Sequence, residues 1–374
     1  VSAPLSLNGT FLWQNEETDL AIWLGKPADL LRGQQSAASL KLEGPGAQLS
    51  TNGLVSGGAR LQFEGRVTAG SRNIAQLIET LGLKSPLPLA VQQVQVAGLA
   101  RANVTSLALS NLKLSVDGNV FEGTLALQTG ETRPSVSGTL ASDLIMLAPI
   151  VSELPELTDA QGVWDKTPLS LASLHVADMD LRLSASKARL GRTTIDDLGA
   201  SLLLNNGQLE FSLGQARIYG GQVKGRLVLS PQEQNIALRA TGAFAKIDTG
   251  TLTKDVFGLL RMSGEAEGQI AFSGQGDTID DMTRALNGTL EARFRNGDIH
   301  GLDLEQALRR LDKRPLSLLM DMRNGRTGYE NAFVTAKLNN GQIELTEALV
   351  SGLGVQLGLT GKASVPERKL DMRA

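Results

Sequence analysis

The sequence predicts a mainly β protein, built as a long curled antiparallel sheet that forms a groove and carries a few short amphipathic helices. Two observations predict this class. Apolar and polar residues alternate with a period of two through most of the chain, and turn dipeptides interrupt the alternation at short intervals. Alternation places apolar side chains on one face of each strand and polar side chains on the other, which is typical of antiparallel sheets.

The strongest turn signals are dipeptides of Asn or Asp followed by Gly. Both central positions of a type I′ hairpin turn have positive φ, which these residues tolerate better than others. Each such dipeptide is therefore expected to join two neighbouring strands. The four dipeptides are Asp117-Gly118, Asn206-Gly207, Asn296-Gly297 and Asn340-Gly341.

Four apolar patterns with helical spacing interrupt the strands, and they follow Asn73, Asp248, Asp277 and Asp303. The side chains of Asn and Asp cap helices by accepting hydrogen bonds from the first free backbone N–H groups. The last of these helices is expected to span residues 303–312. Because each pattern has one apolar stripe and lies between strands, we expect the helices to cover the apolar face of the sheet.

A hairpin module repeats along the chain. Residues 204–211 read Leu-Asn-Asn-Gly-Gln-Leu-Glu-Phe, and residues 338–345 read Leu-Asn-Asn-Gly-Gln-Ile-Glu-Leu. Such repetition indicates a sheet that is extended by adding similar hairpins. Three prolines, Pro149, Pro155 and Pro168, interrupt the alternation. We therefore predict two β-groove modules, residues 1–150 and 151–374.

The composition excludes several classes of function. The 374 residues contain no cysteine, so disulfides, thiolate catalysis and Cys-ligated metals are excluded. The net charge is -3 and no long basic run occurs, so nucleic acid is not an expected partner. No apolar run approaches the roughly 20 residues that a membrane helix needs. Because the chain begins at Val1, we expect it to be a segment of a longer protein.

The two histidines are the candidates for metal or acid–base chemistry. His175 has neither a second histidine nor a carboxylate pair near it in sequence, whereas His300 lies between Asp298 and Asp303. A catalytic pair needs converging geometry, which a sequence does not show, and an Asn-Gly turn and a helix cap already explain the residues around His300. We therefore expect no catalytic residue, no metal site and no cofactor.

An alternating sheet has to bury its apolar face. It either packs as a dry sandwich or lines a groove that something else fills. Aliphatic side chains suit acyl chains, because each buried methylene contributes about 0.8 kcal/mol and no polar contact holds the chain in one position. We expect acyl chains to contact Leu112, Leu114, Val116, Leu125, Leu127, Leu181, Leu183, Leu209, Phe211, Leu213, Val223, Leu227, Leu229, Ile236, Leu238, Leu290, Ala292, Phe294, Val355, Leu357 and Leu359. The basic residues Arg309, Arg310, Lys313 and Arg314 are candidates for head-group contact.

Several motifs resemble those of the AsmA family. Ala285-Leu-Asn-Gly-Thr-Leu, followed by Asn296-Gly-Asp-Ile-His-Gly-Leu-Asp-Leu, is similar to the family's C-terminal signature. Tyr219-Gly-Gly-Gln-Val-Lys-Gly resembles its hairpin motif, and the stretch beginning Leu109-Ser-Asn-Leu-Lys-Leu resembles its repeat.

This resemblance implies a Gram-negative envelope protein of the bridge-like lipid-transfer type, located in the periplasm. It implies an anchor in the inner membrane through an N-terminal helix outside this segment, and envelope proteins as partners. The expected function is transfer of phospholipid between the inner and outer membranes, in support of outer-membrane biogenesis and homeostasis. The alternative is a structural scaffold or assembly factor for outer-membrane proteins, with a dry β-sandwich core.

Overall fold

The computed structural model describes residues 3–13, 16–44, 46–58, 61–74, 91–130, 133–152, 156–169, 172–232, 235–301, 303, 325–352 and 355–373. Its 21 strands belong to one sheet. The predicted class, a mainly β protein with an antiparallel sheet and short helices, is confirmed. The first ten strands are β1 (Leu5–Trp13), β2 (Glu16–Leu24), β3 (Gln35–Glu43), β4 (Ala47–Ser56), β5 (Gln62–Ser71), β6 (Val94–Asn103), β7 (Ser106–Val116), β8 (Asn119–Thr129), β9 (Pro134–Met146) and β10 (Asp178–Leu190).

The remaining strands follow in chain order. They are β11 (Thr193–Asn205), β12 (Gln208–Ile218), β13 (Gly221–Pro231), β14 (Ile236–Asp248), β15 (Glu265–Gly276), β16 (Asn287–His300), β17 (Arg326–Asn339), β18 (Gln342–Gly352), β19 (Val355–Gly358), β20 (Thr360–Ser364) and β21 (Lys369–Arg373). The helices of the described residues are short: α1 (Pro27–Leu31), α2 (Ala148–Val151), α3 (Thr249–Phe257), α4 (Ile279–Arg284) and a 3-10 turn (Ala172–His175). None of the helices in this part of the chain has the length and apolarity that crossing a membrane requires.

The chain divides into two compact units. The first comprises Val1–Leu154, Leu171–Leu190 and Ser201–Leu209, and the second comprises Pro155–Ser170, Gly191–Ala200 and Glu210–Ala374. In the first unit, β1 to β9 pair in chain order as antiparallel neighbours, and β10 pairs with β9 in parallel. In the second unit, β13 to β18 form a consecutive antiparallel series. Whether modules 1–150 and 151–374 act separately stays a prediction.

Three of the four predicted hairpin turns form with positive φ at both residues. These are Asp117-Gly118, Asn206-Gly207 and Asn340-Gly341. The prediction for Asn296-Gly297 is wrong, because both residues lie inside β16. Asn296 alone has positive φ, at 50°, so the dipeptide places a local irregularity within a long strand rather than a reversal of the chain.

A β-bulge explains a change of phase in the apolar pattern of β7. Leu107 and Leu109 occupy odd positions, whereas Leu112 and Leu114 occupy even positions. Between them Asn111 adopts a φ of 47°, and the pairing with β8 shifts between Leu109 and Leu112. One extra residue returns the later leucines to the same face, where Leu112 is only 1% exposed.

The helix predictions have mixed outcomes. Asp248 caps α3 as expected, since its carboxylate accepts hydrogen bonds from the backbone N–H groups of Gly250 and Thr251. The helix predicted after Asp277 begins one residue later, because Thr278 is the cap of α4. The pattern after Asn73 from residue 75 onward and the helix predicted over residues 303–312, apart from residue 303, lie outside the described residues.

Candidate lipid-binding face

The register of the first unit aligns its apolar residues in continuous rows across the strands. Leu7 of β1 is opposite Ile22 of β2, and Ile22 is opposite Leu40 of β3. Further along, Ala100 of β6 is opposite Leu109, and Leu109 is opposite Leu125 of β8. One face of this unit is therefore apolar, and we call it the first apolar face.

The centre of the first apolar face is well packed. Ala100, Leu109 and Leu112 form a buried cluster. Seven partly buried residues pack around this cluster: Phe63, Val67, Val96, Leu107, Leu114, Leu125 and Leu140. The face is thus well packed at β6 and β7, whereas Leu127 on β8 is 40% exposed.

The second unit has rows of the same kind. Ile270 of β15 is opposite Leu290 of β16, and Leu290 is opposite Ala336 of β17. A parallel row joins Leu227 and Ala240 through the pairing of β13 with β14. We call this surface the second apolar face.

The opposite side of the second unit is polar. Thr289 and Glu291 flank Leu290 in β16 and point away from the second apolar face, because side chains alternate along a strand. The amide Nε2 of Gln269 donates to the carboxylate of Glu291 at 2.9 Å, and the guanidinium of Arg295 lies 2.7 Å from Glu267. Cross-strand polar pairs of this kind indicate a face that stays in water.

The ion pair of Glu210 with Arg226 indicates which side chains of β12 lie on the polar side of the sheet. A guanidinium nitrogen of Arg226 lies 2.5 Å from a carboxylate oxygen of Glu210, and this hydrogen bond lowers the pKa of the Glu210 carboxyl. Arg226 alternates with Leu227, so it lies on the polar side of β13. Phe211, next to Glu210, therefore belongs to the second apolar face.

Glycines let aromatic rings lie flat on the second apolar face. Gly268 of β15 is opposite Phe244 of β14. A Cβ atom at position 268 would lie 2.7 Å from the Cζ atom of Phe244, so the ring covers the backbone of the glycine. The aromatic surface thus widens the apolar face without projecting far above it.

The predicted contact residues differ widely in exposure. Leu112, Ile236 and Ala292 are buried, with exposures of 1%, 6% and 6%. Leu127, Phe211 and Leu290 are exposed by 40%, 40% and 36%. The others whose side chains are described are partly buried: Leu114, Val116, Leu125, Leu181, Leu183, Leu209, Leu213, Val223, Leu227, Leu229, Leu238, Phe294, Leu357 and Leu359.

Five predicted residues cannot be placed in this way. Arg309, Arg310, Lys313 and Arg314, the candidates for head-group contact, lie outside the described residues. For Val355 the structure describes the backbone in β19 and not the side chain. Head-group contact therefore stays a prediction.

Sequence reasoning missed several residues of the second apolar face in β15. Ile270 and Phe272 both belong to its rows, opposite Leu290 and Gly288 of β16. Small residues at alternate positions of the same strand, such as Ala266 and Gly268, weaken its apolar signal. Counting Ala and Gly as members of the apolar phase would have revealed this strand.

The contacts of His300 and Asp298 are of the kind that hold a strand in place. The backbone N–H of His300 donates to the carbonyl of Arg261 at 3.0 Å, and its ring atom Nε2 is buried without a hydrogen-bond partner among the described residues. Asp298 lies 3.8 Å from the guanidinium of Arg326. Within this part of the chain, no group of three or more His, Asp or Glu side chains is arranged to hold a metal ion.

His175 packs against a hairpin. A Cβ atom on Gly207, in the turn between β11 and β12, would collide with the imidazole ring of His175. In the same turn, the backbone N–H of Asn206 donates to Asp178 at 3.0 Å. His175 therefore lies beside the turn, and its ring leaves no room for a Cβ atom at the position after Asn206.

Tyr329 links β17 to the segment before β15 by a hydrogen bond. Its hydroxyl donates to the carbonyl of Ser263 at 2.6 Å, and its side chain is 4% exposed. Burial, and secondarily the charge of Asp298, raises the pKa of Tyr329 to about 12. Because the neutral form is favoured, this phenol acts as a hydrogen-bond donor within the folded unit.

The fold and motifs agree with a comparison against known families. The model of the AsmA family matches residues 73–348, which is most of the chain. The chain therefore belongs to the AsmA family. Searches of curated proteins and of solved structures find no match. Membership of this family suggests a role in the cell envelope, in lipid transport or in assembly.

Proposed function

We propose that this protein binds phospholipid by its acyl chains along the apolar faces and passes the lipid between the inner and outer membranes. In this proposal the chain works in the periplasm, and a segment outside it anchors the protein in the inner membrane. The proposal rests on membership of the AsmA family and on the partial exposure of the apolar faces.

The partial exposure carries most weight. Leu127, Phe211 and Leu290 each keep more than a third of their surface exposed while belonging to apolar rows. Leaving apolar surface in water costs about 25 cal/mol per Å². An apolar ligand that covers these side chains would recover that free energy, and an acyl chain has the matching chemistry.

The aliphatic character of the faces also suits movement. Dispersion contacts have no preferred direction, so an acyl chain in contact with Leu and Ile can shift along a row without breaking hydrogen bonds. The rows pass from strand to strand, as from Ile270 to Leu290 and Ala336. This arrangement favours passage of lipid over retention of one lipid in one pose.

A scaffold with a dry β-sandwich core is the competing function. It requires Leu290 and its neighbours to pack against a second layer of protein. The test is to compare Leu290→Asp with Thr289→Asp, since the two residues are adjacent and occupy opposite faces of β16. A buried charge opposes acyl-chain contact, whereas the same charge on the polar face does not.

The measurements are the phospholipid bound to the purified chain, by mass spectrometry, and transfer of fluorescent phospholipid between vesicles. We expect Leu290→Asp to reduce both and Thr289→Asp to reduce neither, with circular dichroism confirming that both variants fold. A wild-type chain that carries no phospholipid and excludes lipid analogues would overturn the proposal. Equal lipid binding by the two variants would overturn it too.

The proposal includes no chemical step. Lipid passage changes no covalent bond, so it needs neither a nucleophile nor a general base. We expect His300→Gln to transfer phospholipid at the wild-type rate. A large loss of transfer in a folded His300→Gln protein would contradict a purely conducting role.

A further inference from the structure

Helix α3 buries polar residues and exposes apolar ones. Thr249 and Thr253 are buried, with exposures of 2% and 8%, whereas Val256 and Phe257 at its C-terminal end are 60% and 64% exposed. Leu259, just after the helix, is 57% exposed. The expectation that this helix covers the apolar face is therefore wrong. We call Val256, Phe257 and Leu259 the α3 tip.

Polar contacts explain why the threonines are buried. The hydroxyl of Thr249 donates to the carbonyl of Gly264 at 2.9 Å, and that of Thr253 donates to the carbonyl of Met262 at 3.1 Å. These bonds join the helix to the chain that leads into β15. Burying hydroxyl groups is tolerated because each has an acceptor. The helix is thus held by its polar side, and its apolar end faces solvent.

The last turn of α3 is held in the same way. The hydroxyl of Thr193 donates to the carboxylate of Asp255 at 2.9 Å and lies 3.3 Å from the hydroxyl of Tyr219. Gly258 ends the helix with a φ of 69°, and its N–H donates to the carbonyl of Lys254 at 2.9 Å. Asp255 is therefore drawn toward the sheet, and the α3 tip is held by defined contacts.

The charged residues beside the α3 tip have a small positive excess. Lys254 precedes Asp255, and Arg261 follows Leu259 by two residues; both are exposed. Asp255 accepts a hydrogen bond from Thr193 and keeps its negative charge, so two cations and one carboxylate leave residues 254–261 with a net charge of +1. An apolar tip with exposed cations complements an anionic lipid surface, where apolar side chains enter the interface and cations contact the head groups.

We propose that the α3 tip inserts into the interface of an anionic phospholipid bilayer and docks this unit on the membrane. This inference goes beyond the proposed function, because it assigns a membrane-contact surface separate from the apolar faces. Three side chains form too small a surface for a stable protein partner, since standard interfaces bury roughly 800 Å² per partner. The patch and its charges suit a lipid surface better.

The absence of cysteine from the sequence makes a clean test available. Phe257→Cys carries a single environment-sensitive fluorophore at the α3 tip, and Thr289→Cys places the same fluorophore on the polar face as a control. The probes are phosphatidylcholine vesicles with and without phosphatidylglycerol. We expect a blue shift at position 257 that is stronger with phosphatidylglycerol, and none at position 289. An unchanged emission at position 257 would overturn the inference.

A second measurement uses vesicle sedimentation of unlabelled protein. Replacing all three residues of the α3 tip by serine should weaken binding at least tenfold, by roughly the transfer free energy of these side chains. Leu99→Ser is the matched control, since Leu99 is 42% exposed and lies opposite Arg66 and Ser110. Equal vesicle binding by the triple variant and the control would refute insertion.

The charge contribution is tested by Lys254→Glu with Arg261→Glu. Each cation near an anionic surface is worth about fivefold in binding, so the reversal should remove most of the preference for phosphatidylglycerol. A preference that persists in this variant would contradict the proposed orientation.

The outcomes separate this inference from the proposed function. The triple serine variant should keep the phospholipid that co-purifies with it, and Leu290→Asp should keep the blue shift at position 257. A chain that docks on vesicles but carries no lipid would refute lipid binding along the apolar faces and would support membrane docking by the α3 tip. A blue shift with envelope proteins alone, absent with vesicles, would show that a protein occupies the tip and would overturn the inference.

Discussion

Truncating two leucines of the first apolar face should have clearly different costs. Leu112 is 1% exposed within the buried cluster, whereas Leu127 is 40% exposed on the same face. Leu112→Ala removes fully buried atoms and leaves a cavity, which costs about 2–5 kcal/mol. Leu127→Ala removes three carbon groups worth about 0.8 kcal/mol each when fully buried, and partial burial reduces their sum to about 1–1.5 kcal/mol.

The assay is hydrogen exchange of the amides in β7 and β8, together with urea unfolding of the whole chain. We expect Leu112→Ala to lower the protection free energy of these strands by at least 1 kcal/mol more than Leu127→Ala does. Equal costs near the higher value would mean that Leu127 packs in a dry core. That result would refute the graded exposure on which the proposed groove depends.

Three further predictions concern the second unit. Wild type should lose about 2–3 kcal/mol of stability as pH rises from about 10 toward about 12, because the phenol of Tyr329 ionises first in the unfolded state, and Tyr329→Phe should lack this loss; unfolding curves at these pH values check it, and the same pH dependence in both proteins would contradict it. Gly297→Ala should cost about 1–3 kcal/mol, since a Cβ atom would collide with the carbonyl of Ser263, whereas Gly9→Ala meets open space and should be nearly neutral in thermal unfolding. Asp248→Ala should cost about 1 kcal/mol by removing the cap of α3, which faster amide exchange in that helix would report and unchanged exchange would contradict.

The class of fold could be predicted because the alternation of apolar residues survives in most strands. Side-chain direction in a strand depends only on position, so Leu290 and Phe294 share a face whatever surrounds them. The change of phase between Leu109 and Leu112 is also readable in the sequence. Its cause, a bulge at Asn111, becomes visible only through the pairing with β8.

Other features depend on tertiary contacts that a local pattern does not contain. Asn296 has the φ of a turn residue, yet long-range pairing of β16 with β17 on both sides of it keeps the strand running through this position. The orientation of α3 follows from acceptors at Gly264 and Met262, which lie beyond the helix. Helical spacing predicts an apolar stripe, but packing decides which side is buried.

The central claim is that lipid contacts the apolar faces and avoids the polar ones. Photo-crosslinking at positions 290 and 289 tests it most directly, because these adjacent residues of β16 lie on opposite faces. A photoreactive side chain at position 290 should form adducts with phospholipid in the presence of vesicles, and one at position 289 should form few. Equal adducts at the two positions, or none at position 290, would contradict the account.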